Sequence, residues 1–268
     1  MILQMSPIFS SCLTAAYKLA RLVLPGRDGN RILMYHAVGT LVPGDALGLY
    51  NISPARFESH MRILAAKHRD SIKPLDADSL KDAKPGFMLT FDDGYLDNLI
   101  RACPMLSRFG IPFTVFVTTG PVLKNEAGYL GKNELRELDK QDGVTIGAHG
   151  VTHVPLAECG ERQLKEELAG SKACLEDLLG HPVDSLSYPH GSVNRRVRDA
   201  AEQAGFRIGA TSRFDINPPD RDPLLLCRTD IWSGDSDSVF SEKLAGDWDW
   251  RKWRHADPAG SCSKIAHG

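Results

Sequence analysis

Short apolar segments recur along the chain and alternate with segments in which apolar residues follow the helical period. The apolar segments are rich in β-branched and aromatic residues, which is typical of buried strands. The segments between them carry apolar residues three and four positions apart, which indicates amphipathic helices. On this basis strands are predicted at Arg31–His36, Phe87–Phe91, Pro112–Thr118, Val144–His149, Ser185–Pro189, Phe206–Thr211 and, as a candidate for the last strand, Leu224–Cys227.

Several of the predicted helices have recognisable ends. Ser53 followed by Pro54 predicts a helix start, because a serine side chain caps the first free N–H groups and proline fits the first turn. Gly180 predicts the end of a long helix over Arg162–Leu179. The alternation of strands and helices predicts an α/β fold with parallel strands, a barrel in first place and an open doubly wound sheet in second. No glycine-rich phosphate loop follows a predicted strand, which disfavours a nucleotide-binding domain.

The two ends of the chain differ from the middle. Residues 1–24 form an amphipathic pattern with Lys18 and Arg21 on the polar side, typical of a helix that packs on its own domain or lies on a membrane surface. The apolar run in this segment is too short to span a membrane. The segment also lacks the positively charged residues with which a signal peptide begins. We therefore divide the chain into an N-terminal helix (residues 1–29), a barrel (30–235) and a C-terminal helix and tail (236–268).

The C-terminal region concentrates aromatic and basic residues. Trp248, Trp250 and Trp253 are three of the four tryptophans, and Arg251 stands among them. The spacing predicts a helix with a tryptophan face. This face would either pack on the barrel or form a platform that binds a sugar ring or a membrane interface.

Composition narrows the class of protein. The chain has 268 residues with 32 basic and 34 acidic side chains, so the net charge is −2 and a nucleic-acid partner is disfavoured. The six cysteines show no CxxC spacing, which predicts free thiols in a reducing compartment rather than a zinc knuckle or a disulfide framework. The cysteines are Cys12, Cys103, Cys159, Cys174, Cys227 and Cys262.

Titratable residues follow the predicted strands where active sites of parallel α/β folds lie. Asp92 and Asp93 are adjacent, and alternation along a strand points their side chains to opposite sides. His149 and His153 share one face if their segment forms a helical turn. Two histidines and a carboxylate predict an open site for Zn²⁺ or another divalent ion. Further candidates at strand ends are His36 and the segment Tyr188–Gly191.

Three motifs carry a family resemblance. Thr90–Gly94 (TFDDG), His149–His153 (HGVTH) and Ser187–Gly191 (SYPHG) resemble, in order and spacing, the first three motifs of the polysaccharide deacetylases with NodB homology, carbohydrate esterase family 4. The resemblance covers about residues 30–232. Met34-Tyr35-His36 fits the subgroup that serves exopolysaccharide and O-antigen synthesis. The resemblance implies a distorted (β/α) barrel of about seven parallel strands and hydrolysis of N-acetyl groups on amino sugars.

The resemblance also implies roles for individual residues. Asp92 would be the general base, His36 the general acid and Arg228 an orienting group. The His190 N–H would meet the oxyanion, and one divalent ion is expected, Zn²⁺ first, with Co²⁺, Ni²⁺, Mn²⁺ or Fe²⁺ as alternatives. The ion would be held by Asp93, His149 and His153. The residues that would bind the oxyanion or the substrate are His190, Tyr188, Pro189 and Tyr95.

Departures from the family pattern keep other functions open. Ser187 stands where many members have arginine, and the downstream motifs are not clear, which leaves a catalytically weak carbohydrate-binding relative as an alternative. A non-haem iron oxygenase also uses two histidines and a carboxylate, but on a fold without intervening helices. The expected partner is an acetylated amino-sugar glycan or its precursor. The expected location is cytoplasmic, with peripheral contact with the inner membrane as a hypothesis.

Overall fold

Nine strands are formed within the part of the chain that the computed structural model describes, which is residues 7–21, 23, 27–42, 44–254 and 256–258. Most of them coincide with the predicted apolar segments, because those segments bury both faces. The strands are β1 (Arg31–Tyr35), β2 (Ala37–Val38), β3 (Asn51–Ile52), β4 (Phe87–Phe91), β5 (Phe113–Val117), β6 (Val144–Ala148), β7 (Ser185–Ser187), β8 (Ile208–Ala210) and β9 (Thr229–Asp230).

Seven of these strands form one parallel sheet in the order β8-β7-β6-β5-β4-β1-β9, and β2 and β3 form a small separate pair. The sheet is curled into a half-barrel, and one stretch of chain reaches both of its edges. Leu226 bridges Ala210 of β8, and three residues later Thr229 pairs with Leu33 of β1. The predicted distorted (β/α) barrel of about seven parallel strands is therefore confirmed.

Ten α-helices lie along the described chain, most of them between consecutive strands. Ser53 caps α2 as predicted, since its hydroxyl accepts the N–H of Arg56 at 3.3 Å, and Gly180 ends α8 in a left-handed conformation. The helices are α1 (Pro7–Arg21), α2 (Pro54–His68), α3 (Ala77–Lys81), α4 (Cys103–Phe109), α5 (Thr119–Lys124), α6 (Lys132–Asp139), α7 (Glu161–Lys165), α8 (Ser171–Leu179), α9 (Arg195–Gln203) and α10 (Asp237–Ala245).

The core fills the space between the sheet and its helices. All five residues of β1 and of β5 are buried, which explains why these strands read as continuous apolar runs rather than alternating ones. Phe57 of α2, Leu106 of α4 and Leu175 of α8 belong to the same buried cluster as the strand residues. The core therefore holds the strands, and with them the residues at their carboxyl ends, in fixed positions.

One sequence-based prediction about a strand was wrong. Leu224–Cys227 is not a strand; only Leu226 makes a bridge, and the last strand is β9, because the chain crosses there from one sheet edge to the other. The helix predicted over Arg162–Leu179 is confirmed, and it contains a π-helical turn at Glu166–Gly170. Such a turn redirects the side chains that follow it.

Helix α1 packs against the segment that contains Trp250 and Trp253. Trp250 Nε1 donates to Thr14 Oγ1 of α1 at 3.0 Å, and the C-terminal region forms α10 and a 3₁₀ helix at Asp249–Arg254 instead of one helix. No helix of the described residues is long and apolar enough to cross a membrane. The five described cysteines are free thiols as predicted. Predictions for residues 1–6, His255 and residues 259–268, including Cys262, lie outside the described residues.

Candidate active site

The carboxyl ends of β4 and β6 bring a carboxylate and two imidazoles together. Oδ1 of Asp93 lies 3.5 Å from Nε2 of His149 and 3.2 Å from Nε2 of His153. One ligand atom from each residue lies within 4.8 Å of the other two. Asp93 and His149 are buried, whereas the His153 side chain is 36% exposed. The three side chains predicted to hold a metal ion therefore form one cluster with an open side.

A hydrogen bond from the His149 ring to the backbone supports metal binding at this cluster. His149 donates its Nδ1 hydrogen to the carbonyl of Ser187 at 2.8 Å, which fixes the ring with Nε2 directed at Asp93, a common arrangement in metal sites. Burial alone would raise the pKa of Asp93, but hydrogen bonds from His149 and His153 outweigh it and hold that pKa well below its usual value. Two imidazoles and an ionised carboxylate fit Zn²⁺ or a similar divalent ion.

Left-handed backbone is concentrated at this cluster. Asp93 has φ = 77°, His153 has φ = 59° and His190 has φ = 57°. Outside the cluster, Asn125 at the end of α5 is the other non-glycine residue with positive φ among the described residues. Such conformations cost energy for residues with a side chain and tend to accumulate at functional sites.

The segment from His149 to His153 does not form a helical turn, which was the condition for placing both imidazoles on one helix face. It is an irregular loop in which Gly150 (φ = 73°) and His153 reverse the chain. Glu167, in the π-helical turn, fixes this loop. Its carboxylate accepts the N–H of Val151 at 2.6 Å, the N–H of Thr152 at 3.0 Å and the hydroxyl of Thr152.

Glu167 was missed by the sequence analysis, although a signal was present. It stands on the apolar face of its helical segment, three residues after Leu164 and next to Leu168, and it is 3% exposed. A carboxylate on a buried face needs partners, and the loop that carries both histidines supplies them.

Asp92 faces the interior of the barrel and is held by Arg228. Arg228 is fully buried and donates from Nη1 to Oδ1 of Asp92 at 2.6 Å and from Nη2 to Oδ2 at 2.7 Å. Burial would raise the pKa of Asp92, but the charge of Arg228 and then of His149 outweighs it and lowers the pKa to about 2. Asp92 therefore stays ionised beside the cluster.

Ser187 occupies the third-motif position at which many family members have an arginine, and in this chain Arg228 lies beside it. The Ser187 hydroxyl accepts from Nη2 of Arg228 at 2.8 Å and donates to Oδ2 of Asp92 at 3.1 Å. The small serine side chain leaves room for Arg228, which enters from the segment that closes the barrel. The guanidinium also donates to the carbonyl of Thr211 and the hydroxyl of Thr90, so all five of its N–H groups are used.

His36 follows β1 and borders the same site. Its ring packs on that of Tyr50 with 4.5 Å between centroids, and its Nδ1 is buried without a hydrogen-bond partner. Burial lowers the pKa of His36, although the nearby carboxylates of Asp93 and Asp92 act in the opposite direction. A buried ring nitrogen without a partner is available to a group that enters the site.

The remaining predicted site residues are His190, Tyr95, Pro189 and Tyr188. His190 is exposed, its ring lies 4.4 Å from that of His153, and its Nε2 donates to the His153 carbonyl at 3.1 Å. Tyr95 is buried beside Asp93; burial, and then the charge of Asp93, raise the pKa of its phenol. Pro189 is buried and packs towards Gly150 of the histidine loop.

Tyr188 lies directly after β7. Its ring is fully buried and its hydroxyl donates to the carbonyl of Leu224 at 2.9 Å. This side chain ties β7 to the segment that closes the barrel, and its assignment to substrate binding stays a prediction.

Comparison with known proteins gives consistent matches. Residues 80–209 match the sequence model of a family described as polysaccharide deacetylase. YxkH of Bacillus subtilis (strain 168), named for the same family, is 29% identical over 214 residues, which span 78% of this chain and 74% of YxkH. The poly-β-1,6-N-acetyl-D-glucosamine N-deacetylase of Staphylococcus aureus (strain N315) is 24% identical over 217 residues, 75% of this chain and 72% of that protein.

A solved structure agrees with these matches. BC0361, a polysaccharide deacetylase from Bacillus cereus, aligns with a TM-score of 0.69 and 26% sequence identity, covering 81% of this chain and 69% of that chain. The similarity therefore extends over most of the barrel.

Proposed function

Since this chain carries a polysaccharide deacetylase domain, as its three motifs predicted, we propose that it is a metal-dependent hydrolase that removes the acetyl group from an N-acetylated amino sugar of a glycan. One observation carries the proposal: Asp92, fixed by Arg228, lies beside the cluster of Asp93, His149 and His153. The Staphylococcus aureus relative, by name an N-deacetylase of a polymer of N-acetylglucosamine, supports the choice of an N-acetyl group.

Asp93, His149 and His153 would hold the divalent ion, with Zn²⁺ first because its common ligands are imidazole nitrogen and carboxylate oxygen. When bound, such an ion lowers the pKa of water and polarises an acetyl carbonyl. The exposed edge of His153 marks the side from which substrate would reach the cluster.

Asp92 would accept the proton of the attacking water. Its carboxylate is ionised, and the contacts with Arg228 and Ser187 fix its orientation before substrate arrives. Preorganisation of this kind saves the cost of ordering a catalytic group during the reaction. Arg228 has no N–H left for substrate, so we assign it to positioning Asp92.

Departure of an amine requires a proton, and His36 would supply it. Its Nδ1 is the buried nitrogen without a partner, and His36 follows β1, which lies on the other side of β4 from β6 in the sheet. The backbone N–H of His190 would face the oxyanion, and the neutral phenol of Tyr95 would donate a hydrogen bond beside Asp93.

Acetate release from N-acetylglucosamine oligosaccharides tests the proposal. The protein is stripped with a chelator and reloaded with Zn²⁺, Co²⁺, Ni²⁺ or Mn²⁺ before each assay. Asp92→Asn should keep the ion and lose most activity, whereas Asp93→Asn should lose both. Asp220→Asn is the matched control, because Asp220 is exposed.

Two outcomes would contradict the proposal. Loss of the ion in Asp92→Asn would show that the two aspartates have exchanged roles. Stoichiometric metal without acetate release from any acetylated sugar would favour a carbohydrate-binding protein with weak or no catalysis.

A further inference from the structure

Helix α1 presents an apolar stripe to solvent. Its inner side is fixed: Thr14 accepts from Trp250, and the ring of Tyr17 meets that of Trp253 edge-on at 5.6 Å. On the other side Leu19 is 69% exposed and Val23, beyond the helix end, is 85% exposed. The exposed apolar residues recur three and four positions apart, as on one face of a helix. They define the outer stripe: Cys12, Ala15, Ala16, Leu19 and Val23.

Positive charge borders the outer stripe. α1 contains Lys18 and Arg21 and no acidic residue. Both contact the single carboxylate of Asp247, at 3.5 and 2.6 Å, so the group of three keeps a net positive charge. The Lys18 side chain is 60% exposed and can reach an anionic group outside the protein.

Trp253 adds an interfacial side chain at the flank of α1. It is 69% exposed although it packs on Tyr17, and the Lys252 ammonium lies 5.2 Å from the centre of its ring. Tryptophan and lysine side chains of this kind favour the boundary between water and lipid headgroups.

We infer that the outer stripe of α1 binds the surface of an anionic lipid bilayer, with Lys18 and Trp253 at its border. An apolar stripe with basic flanks matches the acyl boundary and the negative headgroups of such a surface. A second protein copy is a poorer match, because a stable interface uses about 20–30 residues on each side, whereas the described part of this stripe has five, three of them alanine or cysteine.

The position of α1 sets the orientation on the bilayer. Asp249, next to the Trp250 that holds α1, pairs with Arg31 at the start of β1. His36 and the metal cluster follow the other ends of the strands, and a strand of five residues spans about 16 Å. The bilayer therefore contacts the side near the amino end of β1 and leaves the catalytic end open to a glycan in solution.

Vesicle flotation of the full chain tests this inference. It should float with vesicles of phosphatidylcholine and phosphatidylglycerol, less so as salt is raised, and weakly with phosphatidylcholine alone. Leu19→Glu/Val23→Glu should lower partitioning by about tenfold or more, because two apolar side chains become charged. Lys18→Gln should weaken the preference for phosphatidylglycerol.

Leu41→Glu and Leu123→Glu are matched controls, since both leucines are exposed, 87% and 48%, away from α1. They should float like the unmodified protein, and every variant should release acetate from soluble substrate at the unmodified rate. The inference is overturned if Leu19→Glu/Val23→Glu floats normally or if the unmodified protein does not bind the anionic vesicles. If sedimentation shows that the unmodified protein is a dimer and that Leu19→Glu dissociates it, the stripe is assigned to contact with a second copy instead.

Discussion

Arg228 and Asp92 face each other through two parallel hydrogen bonds of 2.6 and 2.7 Å, although 136 residues separate them in the chain. Both side chains are buried, and the guanidinium has no N–H group left for another partner. The pair is therefore a closed unit that fixes the carboxylate beside the histidine cluster.

Replacing Arg228 should destabilise the whole domain. Arg228→Met leaves the buried charge of Asp92 without the guanidinium that neutralises it, which typically costs about 3–5 kcal/mol. Denaturant unfolding of the purified variant measures this loss in the free energy of unfolding. Adding Asp92→Asn should recover part of it, because the unpaired charge is removed.

Arg62→Met is the control for this experiment, since the Arg62 side chain is 68% exposed. Its effect should stay within about 0.5 kcal/mol. If Arg228→Met and Arg62→Met have equal free energies of unfolding, other groups can replace the contribution of the buried pair of Arg228 and Asp92.

Glu167 should act on the metal through the loop that it holds. In Glu167→Gln the carboxamide keeps the shape but weakens the bonds to Val151 and Thr152, so His153 loses its fixed orientation. Metal affinity should fall about 10–100-fold, the usual range when a group that orients a metal ligand is changed. Titration with Co²⁺ measures the metal affinity, and the visible spectrum of the bound Co²⁺ reports the ligand geometry. Neither measurement depends on turnover.

The neighbouring Glu166 is exposed and provides the matched variant Glu166→Gln. It should bind Co²⁺ like the unmodified protein. If Glu167→Gln binds Co²⁺ as tightly, with the same spectrum, the loop does not depend on this carboxylate.

His36 should matter for turnover and not for metal content. His36→Gln removes a group that can transfer a proton, so kcat should fall about 10²–10⁴-fold while one bound ion remains. His68→Gln changes a histidine that packs on Phe87 at the start of β4 and should be active. Full activity of His36→Gln would remove His36 from the reaction.

His60 should make stability depend on pH. Burial lowers the pKa of His60 to about 4, despite opposing contributions from Asp235 and Asp237. As pH falls from about 6.5 to 4, the unfolded chain takes up a proton that the folded chain refuses, so stability present at neutral pH is lost. The loss should be about 1–3 kcal/mol, seen as the difference in unfolding free energy between the unmodified protein and His60→Gln across this range. Parallel pH profiles for the two proteins would exclude His60 as the source.

Strand positions and the cluster of Asp93, His149 and His153 were predictable from the sequence. The apolar runs at β1, β4, β5 and β6 are local patterns, and parallel strands bring their carboxyl ends to one side. The catalytic and ligand roles of the individual residues stay predictions, which the variants above test.

Other features depended on contacts between distant segments. The shape of the histidine loop follows from Glu167, and the burial of Tyr188 follows from its bond to Leu224. Neither contact has a local periodicity that a sequence pattern could show. The wrong placement of the last strand has the same origin, because an apolar run at Leu224–Cys227 fits a strand or a buried connection equally well.

By itself, the sequence determined the alternation of strands and helices, the residues at the strand ends and the family motifs, because each depends on neighbours along the chain. Only the tertiary structure decided that Arg228 would occupy the space left by Ser187 and hold Asp92. The closing segment carries Arg228 into the barrel from the far end of the domain, and a contact of that kind exists only once the sheet has curled.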